Sequence, residues 1–153
     1  MRTTGTGNAA GLAPAILTES ELRERGAQLG RTLPPKSIVL LEGELGSGKT
    51  TLIQALCHGL GVSARATSPT YALVHRYHGP RGPVFHLDCY RLRSPDEAAD
   101  LDWETLLRDG DVVLIEWPEK AGSHVPPATM VLRLSHLADS ENLRRLEVLG
   151  PRA

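Results

Sequence analysis

The sequence SIVLLEGELGSGKTT at residues 37–51 places an aliphatic strand, a glycine-rich loop and the start of a helix in succession. Ser37–Glu42 has the length and composition of a buried strand, and the glycines of Gly43–Gly48 interrupt it. From Lys49 to about Leu60 the apolar residues recur at helical spacing. Because a strand leads into the loop and a helix leaves it, this stretch predicts a phosphate-binding loop.

The loop residues match the pattern G-x-x-x-x-G-K-[ST]. Glycines let backbone amides turn toward an anion, and the helix that follows directs its partial positive charge at the same point. Lys49 can neutralise β- and γ-phosphate oxygens, and the Thr50 hydroxyl can bind Mg²⁺. A glycine-rich turn with a surface lysine is the alternative, which the flanking strand and helix disfavour. The predicted nucleotide-binding residues are Gly43, Glu44, Leu45, Gly46, Ser47, Gly48, Lys49, Thr50 and Thr51.

A magnesium site at such a loop needs a carboxylate from a neighbouring strand, and two acids qualify. Glu116 follows the aliphatic run VVLI, and Asp88 ends the run VFHL. Glu116 could instead be a solvated strand end, and Asp88 could form a surface ion pair with Arg91 or Arg93. His86, two residues before Asp88, faces the same side of a strand and is predicted to be a structural or hydrogen-bonding histidine. No histidine and cysteine cluster has zinc spacing, so no zinc site is expected.

Two further segments near the loop have both a functional and a structural interpretation. Thr70 lies in the segment SPTY at residues 68–71. In P-loop switch proteins a hydroxyl-bearing segment at this place in the chain responds to the γ-phosphate. The alternative is that the segment forms a plain turn. Trp117, directly after Glu116, either packs in the core, shields the site or forms a partner surface. Cys57 is predicted to fill the core, and Cys89 shows no setting that would make it a nucleophile.

The remaining pattern predicts an α/β protein with an antiparallel portion. Thr18 and Glu21 have capping-box spacing for a first helix, which Pro34 ends. Strands and helices alternate along the rest of the chain. The predicted strands are Ala15–Leu17, Tyr71–Tyr77, Val84–Tyr90, Asp111–Glu116, Thr129–Ser135 and Arg144–Leu149, with a connection at His78–Pro83 and helices beginning at Ser94 and spanning Trp103–Arg108.

Composition bounds the function class. The 153 residues suggest a single domain at 14–150 after a flexible tail at 1–13 that is rich in glycine, threonine and alanine. The net charge of −1 argues against a strongly basic nucleic-acid binder. Two cysteines exclude a disulfide framework. No apolar run approaches the roughly 20 residues that span a bilayer, so a soluble cytoplasmic protein without a membrane partner is expected.

Four segments in fixed order resemble the TsaE family, formerly called YjeE, over about residues 17–149. They are GELGSGKTT at 43–51, SPTY at 68–71, HLDCYR at 86–91 and EWPE at 116–119. The resemblance implies a P-loop NTPase-like three-layer sandwich with a mixed, mainly parallel central sheet. It also implies an ATPase that binds ATP and Mg²⁺ and acts on the TsaB–TsaD complex. That complex places threonylcarbamoyl on the adenosine beside the anticodon of tRNAs reading ANN codons. The chain would meet tRNA only through the complex and would not itself be the transferase.

By the same resemblance, Thr50, Glu116 and Asp88 would hold the metal, and Asp88, Lys49 and Glu116 would carry catalysis. Thr70 would be a switch residue and Trp117 a functional tryptophan. Residues 18–20 and Arg144 or Arg145 would approach the base. The competing interpretations are a small-molecule P-loop kinase, which needs an acceptor pocket, and a nucleotide-binding adaptor that does not hydrolyse ATP.

Overall fold

A computed structural model describes residues 14–62 and 73–153. The predicted tail at 1–13 and the segment that contains Thr70 lie outside the described residues. The helices and strands, in chain order, are β1 (Ala15–Thr18), α1 (Glu19–Thr32), β2 (Ser37–Glu42), α2 (Lys49–Gly59), β3 (Val74–Gly79), β4 (Gly82–Asp88), α3 (Pro95–Ala98), α4 (Trp103–Asp109), β5 (Val112–Glu116), β6 (Met130–Leu137) and β7 (Ser140–Leu149).

The strands of the described residues form one seven-stranded sheet in the order β1-β7-β6-β2-β5-β4-β3. The four central strands, β6, β2, β5 and β4, are parallel to one another. On one side β7 and β1 add antiparallel pairings, and on the other side β3 pairs antiparallel with β4. The predicted mixed sheet with a parallel centre and an antiparallel portion is confirmed. The parallel order brings the carboxyl ends of β2, β5 and β4 to the same edge.

Two apolar clusters, one on each face of the sheet, give the fold its three layers. The first joins the sheet to α1 and α2 through fully buried residues such as Leu22, Leu52 and Leu56. The second joins it to α3, α4 and the segment after β4 through residues such as Leu87 and Ile115. Both faces of the central strands are therefore covered, which is why β2 and β5 are aliphatic throughout rather than alternating.

The first helix begins with the predicted capping box. Thr18 N donates to Glu21 Oε1 at 2.9 Å, and Glu21 N donates to Thr18 Oγ1 at 3.1 Å. These two bonds satisfy amides that would otherwise be unpaired at the helix start. The helix then crosses α2 at Gly30. A Cβ at Gly30 would clash with the carbonyl oxygen of Leu56 and lie 3.1 Å from Gly59 Cα, so the two backbones are in direct contact.

Three sequence-based boundaries were wrong. The second hairpin strand ends at Asp88 rather than Tyr90, because Asp88 Oδ1 accepts a hydrogen bond from Tyr90 N and starts a 3-10 turn. The predicted His78–Pro83 connection is shorter, since β3 and β4 stay paired to Gly79 and Gly82. The final hairpin is longer than predicted, because backbone pairing continues past the apolar pattern to Leu137 and Ser140.

Within residues 14–62 and 73–153, no helix combines the length and the apolar character needed to cross a membrane.

Candidate functional site

The phosphate loop lies between the carboxyl end of β2 and the start of α2, as predicted. Its turn is closed by Ser47 N, which donates to Glu44 O at 3.1 Å. Gly43 has a φ of 152°, and a Cβ there would lie 2.7 Å from both Leu134 O and Ser47 Oγ, so only glycine fits. The helix begins after Gly48 with no side-chain cap. Its first amides are therefore free of a side-chain acceptor and directed at the loop mouth.

The Ser47 hydroxyl is a second sign that the loop accommodates a polar ligand. Its oxygen is buried and has no hydrogen-bond partner among the described residues. A buried hydroxyl without a partner carries an energetic cost of about 1–3 kcal/mol, so such an atom at the base of an anion-binding loop calls for a ligand or a water. Together with the uncapped amides, it fits the phosphate chain of a nucleotide.

Lys49 occupies the mouth of the loop. Lys49 is 6% exposed. Its Nζ donates a hydrogen bond to Gly43 O and another to Glu44 O, the latter at 3.1 Å. The ammonium also lies 4.1 Å from the centre of the Trp117 ring, a cation–π contact. Burial lowers the pKa of Lys49, and the charges of Glu116 and three other carboxylates oppose that shift. A cation held this way between loop carbonyls and an aromatic face is positioned to receive phosphate oxygens.

The two candidate acids stand side by side at the same sheet edge. Asp88 and Glu116 are directly paired in the register of β4 and β5. Glu116 is 8% exposed, and its Oε2 lies 2.6 Å from His86 Nε2. The alternative of a solvated strand end is therefore wrong, and His86 is the hydrogen-bonding histidine that its sequence position predicted.

The Asp88 carboxylate retains binding capacity. Its Oδ1 accepts from Tyr90 N at 3.1 Å. Among the described residues, the suggested ion pair of Asp88 with Arg91 or Arg93 does not form. One carboxylate oxygen therefore caps a turn, while the other has no described protein partner and can serve a ligand.

A cavity of about 390 Å³ joins these groups. It brings the loop, the lysine, both acids and the tryptophan together. It also includes Arg144, which the resemblance named beside Arg145, and Tyr90, which the sequence analysis did not assign to the site. Its lining consists of Glu44, Leu45, Gly46, Gly48, Lys49, Thr50, Thr51, Asp88, Tyr90, Glu116, Trp117 and Arg144. Gly43 and Ser47 form the loop beneath it.

A larger cavity, of about 430 Å³, lies beside residues 118–127 and the C-terminal segment. Glu42 lines it and binds two arginines, Arg133 at 3.0 Å and Arg152 at 2.8 Å. It contains neither Lys49 nor Glu116. We assign the candidate site to the smaller cavity because the cation, the acids and the free amides converge there.

Trp117 is held by unusual backbone geometry. Its φ is 54°, a left-handed conformation that is costly for a bulky residue and is typical of functional sites. The ring packs against Tyr90, with centroids 5.0 Å apart, and covers the Lys49 ammonium. Of the three interpretations, core packing and shielding both have contacts, since Trp117 also packs against the second apolar cluster, and the partner surface stays a prediction. Strand alternation could not have identified Tyr90, because the strand ends at Asp88 and Tyr90 lies in the 3-10 turn that follows.

Arg144 reaches the loop from β7. Its guanidinium donates to Ser47 O at 3.1 Å and Gly46 O at 3.4 Å, and within its own hairpin to Glu141 O at 2.8 Å. It also lines a cavity of about 150 Å³ next to Glu19, at the start of α1. The structure thus brings Arg144 and the residue 18–20 segment together, whereas Arg145 is exposed and shares no such cavity. No local pattern could have shown contacts across 97 residues of sequence.

The donor set suits magnesium better than a softer ion. Thr50, Glu116 and Asp88 present oxygen atoms, which Mg²⁺ prefers. The described residues contain no cluster of three or more His, Cys, Asp or Glu side chains able to hold a metal alone. Magnesium usually completes its shell with phosphate oxygens and waters, so a site that needs a nucleotide for completion is chemically consistent with it.

Comparisons with known proteins agree on one family. The family model for the threonylcarbamoyl adenosine biosynthesis protein TsaE matches residues 16–146. The chain is 39% identical over 114 residues to the tRNA threonylcarbamoyladenosine biosynthesis protein TsaE of Treponema pallidum, covering 74% of this chain and 84% of that protein. It is 37% identical over 134 residues to the protein of the same name from Streptomyces coelicolor, covering 84% and 90%.

A solved structure shares the fold. The crystal structure of Bacillus subtilis YdiB superposes with a TM-score of 0.71 and 20% identity, and the match covers 90% of this chain and 84% of that one. At this identity the likeness concerns the fold alone. The family model, by contrast, matches most of the sequence, including the loop and both acids. The chain therefore belongs to the TsaE family of threonylcarbamoyl adenosine biosynthesis proteins.

Proposed function

We propose that this protein is a Mg²⁺-dependent ATPase that supports threonylcarbamoyladenosine formation on tRNAs reading ANN codons by acting on the TsaB–TsaD complex in the cytoplasm. The observation that carries the proposal is the convergence of Lys49, the loop amides, Glu116 and Asp88 on one cavity. A phosphate chain needs these groups together, and the family membership gives the pathway.

Each residue has a distinct task in this proposal. The loop amides and Lys49 bind the phosphates and stabilise the charge that develops on them during cleavage. Thr50 and Glu116 would hold the metal, which would supply positive charge to the phosphate oxygens. Asp88 orients the attacking water and accepts its proton at the carboxylate. Trp117 excludes water from the Lys49 side of the cavity.

The proposed activity is slow in the isolated protein. Among the described residues, the one arginine that lines the cavity is Arg144, and its guanidinium already donates to backbone carbonyls. It is therefore not free to act as an arginine finger, a group that contributes about 10³–10⁵-fold in related enzymes. A partner that supplies a cation or rearranges the loop would raise the rate, which is the reason to expect control by TsaB–TsaD.

The test is ATP hydrolysis by the purified protein, alone and with TsaB–TsaD, together with tRNA modification by the reconstituted set. We expect Asp88→Asn to lower turnover by about 10²–10⁴-fold, the usual contribution of a general base. Glu116→Gln should raise the Mg²⁺ concentration that half-maximal turnover requires, because it removes a carboxylate ligand. Glu104→Gln is the matched control, because Glu104 is an exposed acid on α4 that does not line this cavity.

Three outcomes would contradict the proposal. A wild-type protein that neither binds nor hydrolyses Mg·ATP, with or without the partners, would refute the whole proposal. Transfer of phosphate to a small molecule in place of water would show a kinase. Full tRNA modification with an Asp88→Asn protein that binds ATP but does not split it would show an adaptor.

A further inference from the structure

The Glu116 carboxylate is held by a single described side chain. His86 Nε2 lies 2.6 Å from Glu116 Oε2, and the two side chains are 13% and 10% exposed. Among the residues that the structure describes, no other group hydrogen-bonds this carboxylate. The contact joins neighbouring parallel strands, since His86 is on β4 and Glu116 ends β5. The orientation of the acid therefore depends on one histidine.

The hydrogen bond has a defined direction. A carboxylate that binds a cation is ionised and can only accept, so in that arrangement Nε2 carries the hydrogen and donates it. The opposite ring nitrogen, Nδ1, is buried and has no partner within the described residues. The ring is also stacked on His75, the residue opposite it on β3, with centroids 5.6 Å apart. Packing thus fixes the ring plane, and the bond to Glu116 is its specific polar contact.

We propose that His86 is a positioning residue that fixes the Glu116 carboxylate, so that its other oxygen faces the phosphate-loop cavity and can receive a divalent cation. This inference rests on the proposed function, because it assigns His86 a task at the same metal site. His86 itself does not line the cavity, whereas Glu116 does. It therefore acts through the acid and not on the nucleotide.

The physical reason is the freedom of a glutamate side chain. A carboxylate with one oxygen held by a donor presents the other in one orientation, while a free carboxylate samples several rotamers and must be ordered when a cation binds. Such supporting hydrogen bonds to metal-binding residues typically change metal affinity or activity by about 10–100-fold. The bond is short and nearly buried, so a clear effect is expected.

The experiment compares three variants by direct metal binding. Mn²⁺, which takes the same oxygen donors as Mg²⁺, is titrated into the protein loaded with a non-hydrolysable ATP analogue, and free Mn²⁺ is counted by electron paramagnetic resonance. His86→Leu removes the donor, and His86→Gln keeps an amide donor at nearly the reach of Nε2. His78→Leu is the matched control, since His78 is exposed on β3. Nucleotide affinity in EDTA is measured for every variant.

We expect His86→Leu to raise the Mn²⁺ dissociation constant by about 10–100-fold, with His86→Gln and His78→Leu remaining within about threefold of wild type. Nucleotide affinity in EDTA should stay unchanged in all three, since the loop is not touched. This separates a positioning role from general loss of structure.

Unchanged Mn²⁺ affinity in His86→Leu would overturn the inference. So would equal impairment of the leucine and glutamine variants, or a matching loss of metal-free nucleotide affinity. If the wild-type protein still binds Mn²⁺ and nucleotide, each of these results overturns the role of His86 alone and leaves the proposed function unaffected. A wild type that binds no nucleotide would instead overturn the proposed function and this inference with it.

Discussion

Replacing Arg144 with methionine tests whether β7 holds the phosphate loop in its binding shape. The guanidinium donates to the carbonyl oxygens of Ser47 and Gly46, two residues of the loop. These hydrogen bonds hold the carbonyls of the turn, and a turn held in this way keeps its amides in place for an anion. Methionine keeps an unbranched stem beside Gly48 and removes the donors together with the positive charge.

The size of the effect follows from the geometry. The bond to Ser47 O, at 3.1 Å, is partly buried, and the bond to Gly46 O, at 3.4 Å, is long and exposed. A hydrogen bond from a charged group contributes about 1.5–3 kcal/mol when well formed, and less when it is long or exposed. We therefore expect ATP binding to weaken by about 1–2 kcal/mol, which is about 5–30-fold in the dissociation constant.

The assay is calorimetric titration of Arg144→Met with Mg·ATP, beside Arg145→Met. The two substitutions remove the same charge from adjacent residues of β7, but Arg145 is exposed and makes no described contact with the loop. Non-specific loss of positive charge would therefore affect both variants alike. Equal affinity of the two variants for Mg·ATP would refute the reasoning, because the contacts to Ser47 and Gly46 would then have no effect on binding.

Three more expectations follow from the structure. Burial raises the pKa of Glu42, but hydrogen bonds and charge from Arg152 and Arg133 outweigh burial and hold this pKa below 4.5. The stability that the ionised Glu42 contributes is therefore present above that pH and is lost as the pH falls through the lowered pKa. In urea unfolding, the stability advantage of wild type over Glu42→Gln should vanish over the same pH range. Gly30→Ala should destabilise the fold by about 1–2 kcal/mol, since overpacking against Leu56 O outweighs the gain in helix propensity. Burial, followed by the nearby Asp88 charge, raises the pKa of the Cys89 thiol to about 11, so a thiol reagent at pH 8 should label Cys89 only after unfolding.

Each of these three expectations has an outcome that would contradict it. A Glu42→Gln difference that is constant from pH 7 to about pH 3 would contradict the ion-pair argument. Gln28→Ala, on the exposed face of the same helix, should be nearly neutral, and an equal loss there would show that α1 is sensitive throughout. Rapid labelling of Cys89 in the native protein, located by peptide mapping, would show that its surroundings open.

Local sequence signals predicted the loop well because its chemistry is local. Lys49 and Thr50 must follow the glycines directly, and an aliphatic strand must precede them, so spacing alone identifies the structure. The same holds for the Thr18 capping box, whose two hydrogen bonds span three residues. The Asp88 and Glu116 positions could be predicted as strand ends, although their direct pairing required knowledge of the strand order.

Contacts between distant segments could not be predicted in the same way. Arg144 is 97 residues from Ser47, and its neighbour Arg145 was an equal candidate until the register of β7 distinguished them. The left-handed backbone of Trp117 has no sequence signature, because tertiary packing on Lys49 and Tyr90 imposes it. The predicted boundary at Tyr90 was wrong because the hydrogen bond that Tyr90 N donates to the Asp88 side chain competes with the strand.

At Gly30 the backbones of α1 and α2 are in direct contact, with no side chain between them. Because α2 starts at Lys49, a tilt of that helix would have to move α1 with it. The capping box links α1 in turn to β1, the outermost strand on that side of the described sheet. The phosphate loop is thus connected to one edge of the sheet through a direct backbone contact and a helix cap.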